Sequence, residues 1–294
     1  MFNKKIINEY KKNLDFCTNF WLNDNHGHSG SLLNLDDVSK IEKDDVWNNI
    51  FVTYKSDLKS TQKFRNILKE LITIKVEEQK ILDLSEIKFI YGGKSINCFD
   101  FMKDCDLASW WKSATKNNSA NEHIYKNEVK YLRECFNEKN RLEGVNGFIK
   151  RSWHKGLMVC HSDSNHRIGN IANICTHNPT LEIPYIEKLT TYQLNQNILD
   201  EILKEYSLYI IIEEDHFNKN IFNKMDDICI KQNAFCLELT KKCTRFSLSG
   251  LHFENFKIRI YFIEKTLKNL LLRTQLNLQL HNNKLIKELL KNKE

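Results

Sequence analysis

Between residues 156 and 172 the chain passes from a short apolar run, Gly156-Leu157-Met158-Val159, through a polar stretch into Ile168-Gly169-Asn170-Ile171-Ala172. The polar stretch reads Cys160-His161-Ser162-Asp163-Ser164-Asn165-His166-Arg167. The pattern predicts a strand that stops at small polar residues and leads directly into a helix, which commits the chain to a mixed α and β architecture. It also predicts a place to hold a phosphate. A helix start offers unpaired N–H groups and a partial positive charge, and Arg167 adds a guanidinium fork suited to two oxygens. The bland alternative is that Arg167 pairs with Asp163 and ties down the loop with no ligand.

Composition narrows the class. With 294 residues the chain is long enough for one large domain or two ordinary ones, and 41% hydrophobic with 28% charged residues is the make-up of a folded chain. Only two prolines and nine glycines leave little room for long flexible linkers. The net charge of +6 is spread along the sequence, with lysine-rich patches at Lys4, Lys5, Lys11 and Lys12 and at Lys284, Lys287, Lys291 and Lys293. No dense basic block marks a nucleic-acid surface. The nine cysteines form no Cys-x-x-Cys pair, and the seven-residue spacing of Cys229, Cys236 and Cys243 is unlike a zinc knuckle or a disulfide framework, so reduced core thiols are expected. No apolar run approaches membrane-spanning length and no signal-peptide pattern opens the sequence. A cytoplasmic protein without a membrane partner is the expectation.

Along the chain, residues 2–22 read as an amphipathic helix followed by a loop at 24–30 that contains His26-Gly27-His28. A strand is expected at Ile50–Tyr54, and Phe64, Ile67, Leu68, Leu71 and Ile72 stripe a second helix. Short strands follow at Ile81–Leu84 and Ile87–Tyr91, with Gly92-Gly93 reversing the chain into Lys94-Ser95-Ile96. Helices are expected around Phe99–Trp111, which includes the pair Trp110-Trp111, and after the capping box Ser119-Ala120-Asn121-Glu122. Asn178-Pro179 ends the helix of the polar motif. Leu181–Ile186 is extended, near a sheet edge because of Pro184. Asn195 caps a helix through Tyr206, and strands at Leu208–Ile212 and Phe235–Leu239 precede a final helix bearing Leu276, Leu280, Leu285 and Leu289.

At Ser164-Asn165-His166-Arg167-Ile168-x-x-Ile171-Ala172 the chain resembles the ParB/sulfiredoxin-like superfamily. Ile81–Ile87 looks like the opening strand of that fold, and the strand at 156–160 and the segment 181–186 match the order around its motif. The resemblance covers roughly residues 80–190 and extends to bacterial families with a Ser-x-His motif amid similar segments. It implies an α+β fold: a small mixed sheet in a ParB/sulfiredoxin-like core at 79–194. A mostly helical extension would occupy 1–78, and an α/β segment packed on the core would fill 195–294, leaving helical extensions at both ends. It also implies a nucleotide-phosphate site in which Ser162, Ser164 and Asn165 supply the turn and its N–H groups. His166 and Arg167 would contact phosphate oxygens, and Ala172 would let the helix pack closely. The sequence departs from the pattern in two places. Ser164 stands where Gly is usual, and Asn165 stands where the reductases of the group need Cys, so reductase chemistry is not expected.

Two further constellations carry chemistry. His161-x-Asp163-x-x-His166 offers metal ligands, His161 and Asp163 above all. Glu213-Glu214-Asp215-His216 places carboxylates at the end of an apolar strand, where such groups often face a ligand crevice. The leading expectation is therefore a nucleoside-phosphate-binding protein, acting on ATP or CTP with Mg²⁺ as a phosphotransferase or nucleotide hydrolase. Asp163, His166, Glu86 and Glu213 are the candidate catalytic groups. The alternative is a non-catalytic DNA- or protein-binding module in which the motif is structural; a metal-dependent nuclease is the third reading.

Overall fold

The computed structural model describes Val38 and residues 51–54, 58–91, 147–153, 156–160, 165–214, 219–230, 234–241, 246–248, 251–253 and 256–265. The helices expected at 2–22, 99–111, after Ser119 and at the C-terminal end lie outside the described residues, as do the loop at 24–30, the 92–96 reversal and both lysine-rich patches.

The described chain is α+β and builds two principal sheets. Strand β1 (Phe51–Tyr54) is followed by helix α1 (Leu58–Lys69), the long strand β2 (Ile72–Asp83), a 3-10 turn (Leu84–Glu86) and β3 (Ile87–Tyr91). Then come β4 (Phe148–Arg151), β5 (Leu157–Cys160), helix α2 (Asn165–His177) and β6 (Pro184–Leu194). Helix α3 (Gln196–Glu205) leads to β7 (Tyr206–Glu214), α4 (Lys219–Ile230) and β8 (Ala234–Lys241). A small hairpin of β9 (Phe246–Leu248) and β10 (Leu251–Phe253) precedes β11 (Phe256–Glu264).

The first sheet has five strands in the order β2-β6-β4-β5-β3 and is mixed: β3 runs parallel to β5 and β4 parallel to β6, with the other pairs antiparallel. Its two outermost strands, β2 and β3, are joined by the three residues of the 3-10 turn alone. Four strand spacings in a flat sheet span about 19 Å. A 3-10 turn advances only about 2 Å per residue, which leaves Ile87 within roughly 10 Å of Asp83. The sheet therefore curls until its edges approach each other.

The curl is held at one corner. Asp83 Oδ1 accepts from Ser85 N–H at 2.9 Å and from Ile183 N–H at 3.0 Å, Asp83 Oδ2 accepts from Ser85 Oγ at 2.6 Å, and Leu84 N–H donates to Ile183 O at 3.0 Å. On the β5 side, Gly156 has φ +86, and a Cβ there would lie 2.7 Å from Glu86 O and against Lys88 Cγ. Only a residue without a side chain lets β5 start this close to the turn.

The second sheet has the order β1-β8-β11-β7, all antiparallel neighbours. Helix α4 crosses from β7 to β8, which point the same way with β11 between them. Opposed pairs alternate faces along it. On one face Phe262 lies opposite Phe235, and Phe64 of α1 stacks on the Phe235 ring at 4.2 Å and meets Tyr206 and Phe262 at 5.0 Å. On the other face Tyr261, opposite Cys236, donates to Asp226 of α4 at 3.1 Å, while Arg259 bridges Asp226 at 3.3 Å and Glu238 at 3.0 Å. Helices thus cover both faces, and Cys229 and Cys236 are buried thiols whose pKa burial pushes well up, as expected of core cysteines. Helices α1 and α3 carry the chain between the sheets side by side, tied by Lys63–Glu205 at 3.0 Å and by Asn195 N–H to Leu71 O at 2.9 Å.

Several expectations are corrected. The stripe through Ile72 is a helix only to Lys69; Leu71 turns and Ile72 opens β2. Strand β2 runs across the expected 78/79 boundary, and β1 and α1 belong to the second sheet. Pro184 is not at an edge: β6 lies between β2 and β4, and proline is tolerated as the strand's first residue. The α3 helix ends at Glu205, and Tyr206 begins β7. Beyond residue 195 the chain completes a sheet of its own rather than only packing on the first.

Gly156→Ala tests the corner. Positive φ and a backbone clash together cost about 2 kcal/mol, which lowers Tm by roughly 4–8 °C. An unchanged Tm in calorimetry would show that β5 does not pass against the turn.

Candidate functional site

Strand β5 reaches its carboxyl end at Cys160, whose N–H donates to Gly147 O at 2.9 Å. Residues 161–164, and with them His161, Ser162, Asp163 and Ser164, lie outside the described residues. Helix α2 begins at Asn165, so Asn165, His166 and Arg167 form its first turn, which contains no acidic residue. Arg167 is exposed.

Everything behind that first turn is fixed. Residues 168–175 are all buried, including Ile168, Ile171, Ile174 and Cys175, so the middle of the helix is enclosed on every side, and it packs against the 3-10 turn and β3. Ala172, expected to allow close packing, is among them. At the far end Asn178 serves two of the orphan carbonyls: its Nδ2 and backbone N–H reach Ile174 O at 2.9 and 3.0 Å, and the same N–H reaches Cys175 O at 3.2 Å. Thr176 Oγ1 donates to Ala172 O, one turn back, at 2.8 Å. His177 Nδ1 lies 2.7 Å from Asn173 O. The C-terminal turn is closed by side chains, and the N-terminal turn carries the exposed arginine.

The charges around α2 sort by helix end. Burial, with the Asp83 carboxylate adding to it and Lys88 opposing, pushes the Cys175 thiol up to about 11, so it is a neutral core group near the 3-10 turn. Burial pushes the Asp83 carboxyl up, but the hydrogen bonds from Ser85 and Ile183 outweigh it and hold the group below its ordinary value. Glu86 is exposed on this same turn, against Gly156 at the start of β5. The motif follows the other end of β5, about 10–13 Å away along the strand. The structure therefore does not bring Glu86 to Arg167. Glu213 lies on β7 of the second sheet, opposite Lys257 in register; Asp215 and His216 are outside the described residues. Among the described residues no three His, Cys, Asp or Glu side chains gather as a metal site.

One feature was not picked out from the sequence. His166, Asn170, Asn173 and His177 recur at helical spacing on α2, and Asn170 and Asn173 are buried at 3% and 7% exposure, with Asn173 Oδ1 lacking any hydrogen-bond partner. A polar row of four on an otherwise apolar, enclosed helix is visible in Asn165–His177 once burial is known. No protein-family model, no curated protein and no solved structure matches this chain.

The Asp83 anchor is testable by pH. Its folded pKa is depressed, so its contribution is full above the unfolded aspartate value near 4 and is lost as pH falls through the lower folded value. Asp83→Ala should cost about 1 kcal/mol at pH 7, and the gap to wild type should narrow below about pH 4. Equal stability of the two proteins at pH 7 would contradict the anchor.

Proposed function

We propose that the chain binds a nucleoside phosphate, with the phosphate groups seated at the first turn of α2. The observation that carries the reading is the exposed Arg167 in the acid-free first turn of a helix that is otherwise enclosed and closed at its far end. A rigid helix start supplies N–H donors and positive potential with little cost of ordering, and an arginine there adds two parallel hydrogen bonds to oxygen. The ParB/sulfiredoxin-like resemblance adds support: a strand before the motif (β5), the motif helix and an extended segment after it (β6) follow the order expected around that motif.

In this reading Arg167 and His166 bind phosphate oxygens, and Ser162, Ser164 and Asn165 supply the loop. The chemistry open to such a site is phosphoryl transfer or nucleotide hydrolysis, where positioning and charge neutralisation do most of the catalytic work. Asp163, in the loop itself, is the carboxylate nearest in sequence to the phosphate and the one to orient a nucleophile. Glu86, at the opposite end of β5, has no part in the reading.

The test is thermal unfolding of wild type and Arg167→Ala with ATP, CTP or GTP and Mg²⁺. A nucleotide at a hundred times its dissociation constant adds about 2.7 kcal/mol, a rise of roughly 5–10 °C for a chain of this size. One nucleotide is expected to raise Tm in wild type and to leave Arg167→Ala unmoved. Since Arg167 is exposed, the unliganded variant should unfold within about 2 °C of wild type. No rise with any nucleotide, or an equal rise in the variant, contradicts the assignment and favours the non-catalytic interaction module.

A further inference from the structure

Among the described residues strand β2 is the outermost strand of the first sheet on its side, and residues 73–81 are exposed on both faces apart from the half-buried Glu77. Among the described residues five large hydrophobic side chains are exposed, and four of them sit on the β2–β6 ribbon: Ile74 at 45%, Val76 at 49%, Ile81 at 66% and Ile186 at 57%. They share one face. Ile74 lies opposite Tyr192, Val76 opposite Thr190 and, after a bulge between Glu77 and Lys80, Ile81 opposite Ile186. Positions 186, 190 and 192 alternate onto the same side of β6. A long edge strand with apolar side chains, no proline and no glycine is a template for another strand.

The charges on β2 say which strand fits. We propose that β2 pairs antiparallel with β2 of a second copy of this chain, about a twofold axis at Val76. In this register Val76 meets Val76, and Lys75 meets Glu77 twice, once on each side of the axis. Moving the axis to Lys75 sets lysine against lysine, and moving it to Glu77 sets glutamate against glutamate. A half-step shift is excluded by the pleat, because it would oppose side chains that belong to opposite faces. Directly opposed unlike charges stabilise a strand pair and like charges oppose it, so this axis is favoured over the neighbouring ones at Lys75 and Glu77, with Ile74 then lying opposite Glu78. The pairing continues the five-stranded sheet into a ten-stranded one across the dimer, pairs the backbone groups along the edge of both β2 strands and sets Val76 beside Val76 at the axis. Lys75 and Glu77 already lie 3.5 Å apart within one chain, and in the dimer they form an alternating square of charge.

The experiment is light scattering and sedimentation of the full chain across a concentration series, for wild type, Lys75→Glu, Glu77→Lys and the double variant. Wild type is expected to dimerise. Each single variant sets like charges opposite each other at both sites and should self-associate at least roughly tenfold more weakly. Mixing the two single variants should give a heterodimer, because every opposed pair is then again unlike, and the double variant should dimerise as wild type does. The substituted side chains are on the surface, and circular dichroism of each variant checks that the fold is kept. A wild-type monomer at all concentrations overturns the proposal. So does a dimer that neither charge reversal weakens, or a loss that neither mixing nor the double variant restores. Should a single variant fail to fold, Val76→Cys decides in its place: an intermolecular disulfide absent from wild type supports the axis, and its absence overturns it.

Discussion

Three residues between Asp83 and Ile87 set the shape of the first sheet. They connect its two outer strands, and a connection that short cannot cross a flat sheet of five strands. Everything else at that end follows from making the approach tolerable. Asp83 answers the polar groups of the turn and of the chain entering β6, and Gly156 removes the side chain that would strike Glu86 O. Helix α2 packs against the turn and β3, and its eight successive residues 168–175 are all buried.

That packing sets the two ends of α2 apart. The C-terminal half is committed to the turn, with its carbonyls satisfied by Thr176 and Asn178 and its thiol pushed out of the reactive range by burial and by Asp83. The N-terminal turn emerges where β5 ends and presents Arg167. Among the described residues, polar side chains reach the carbonyls at the C-terminal end of the helix, and the first turn carries the exposed Arg167. The second sheet shares no strand with this arrangement, yet α1 and α3 run between the two sheets and the Lys63–Glu205 and Asn195–Leu71 links tie them. Its Phe64–Phe235 stack anchors the segment that leads into β2.

What was legible in the sequence is what local chemistry decides. The apolar run at 157–160, the helix after it, the stop at Asn178-Pro179 and the Asn195 cap all appear where the residue types put them. Asn195 Oδ1 accepts from Asn197 N–H at 3.2 Å and Ile198 N–H at 3.4 Å, as a cap should. Long-range partnership was not legible. Strand β2 hides because the helical stripe Phe64–Ile72 runs into it, so the alternation of Ile72, Ile74 and Val76 with Thr73, Lys75 and Glu77 is masked at its start and then broken by Glu78-Gln79-Lys80. Pro184 suggested an edge because its missing N–H says nothing of what pairs with the ten residues that follow. Glu86 attracted attention by its place in the sequence near the opening strand, and only the parallel β3–β5 pairing shows that it lies at the end of β5 away from the motif. The buried Asn170 and Asn173 could not be told from a solvated face until the curl of the sheet was known.

The claim that a phosphate is held at the start of α2 is tested most directly by backbone amide resonances of the isotopically labelled chain as a nucleoside triphosphate with Mg²⁺ is added. The account predicts that the largest shifts fall on residues 161–168, with the amides at the C-terminal end of α2 and in the 84–86 turn unmoved. Shifts centred on the second sheet, or none at saturating nucleotide, would contradict it.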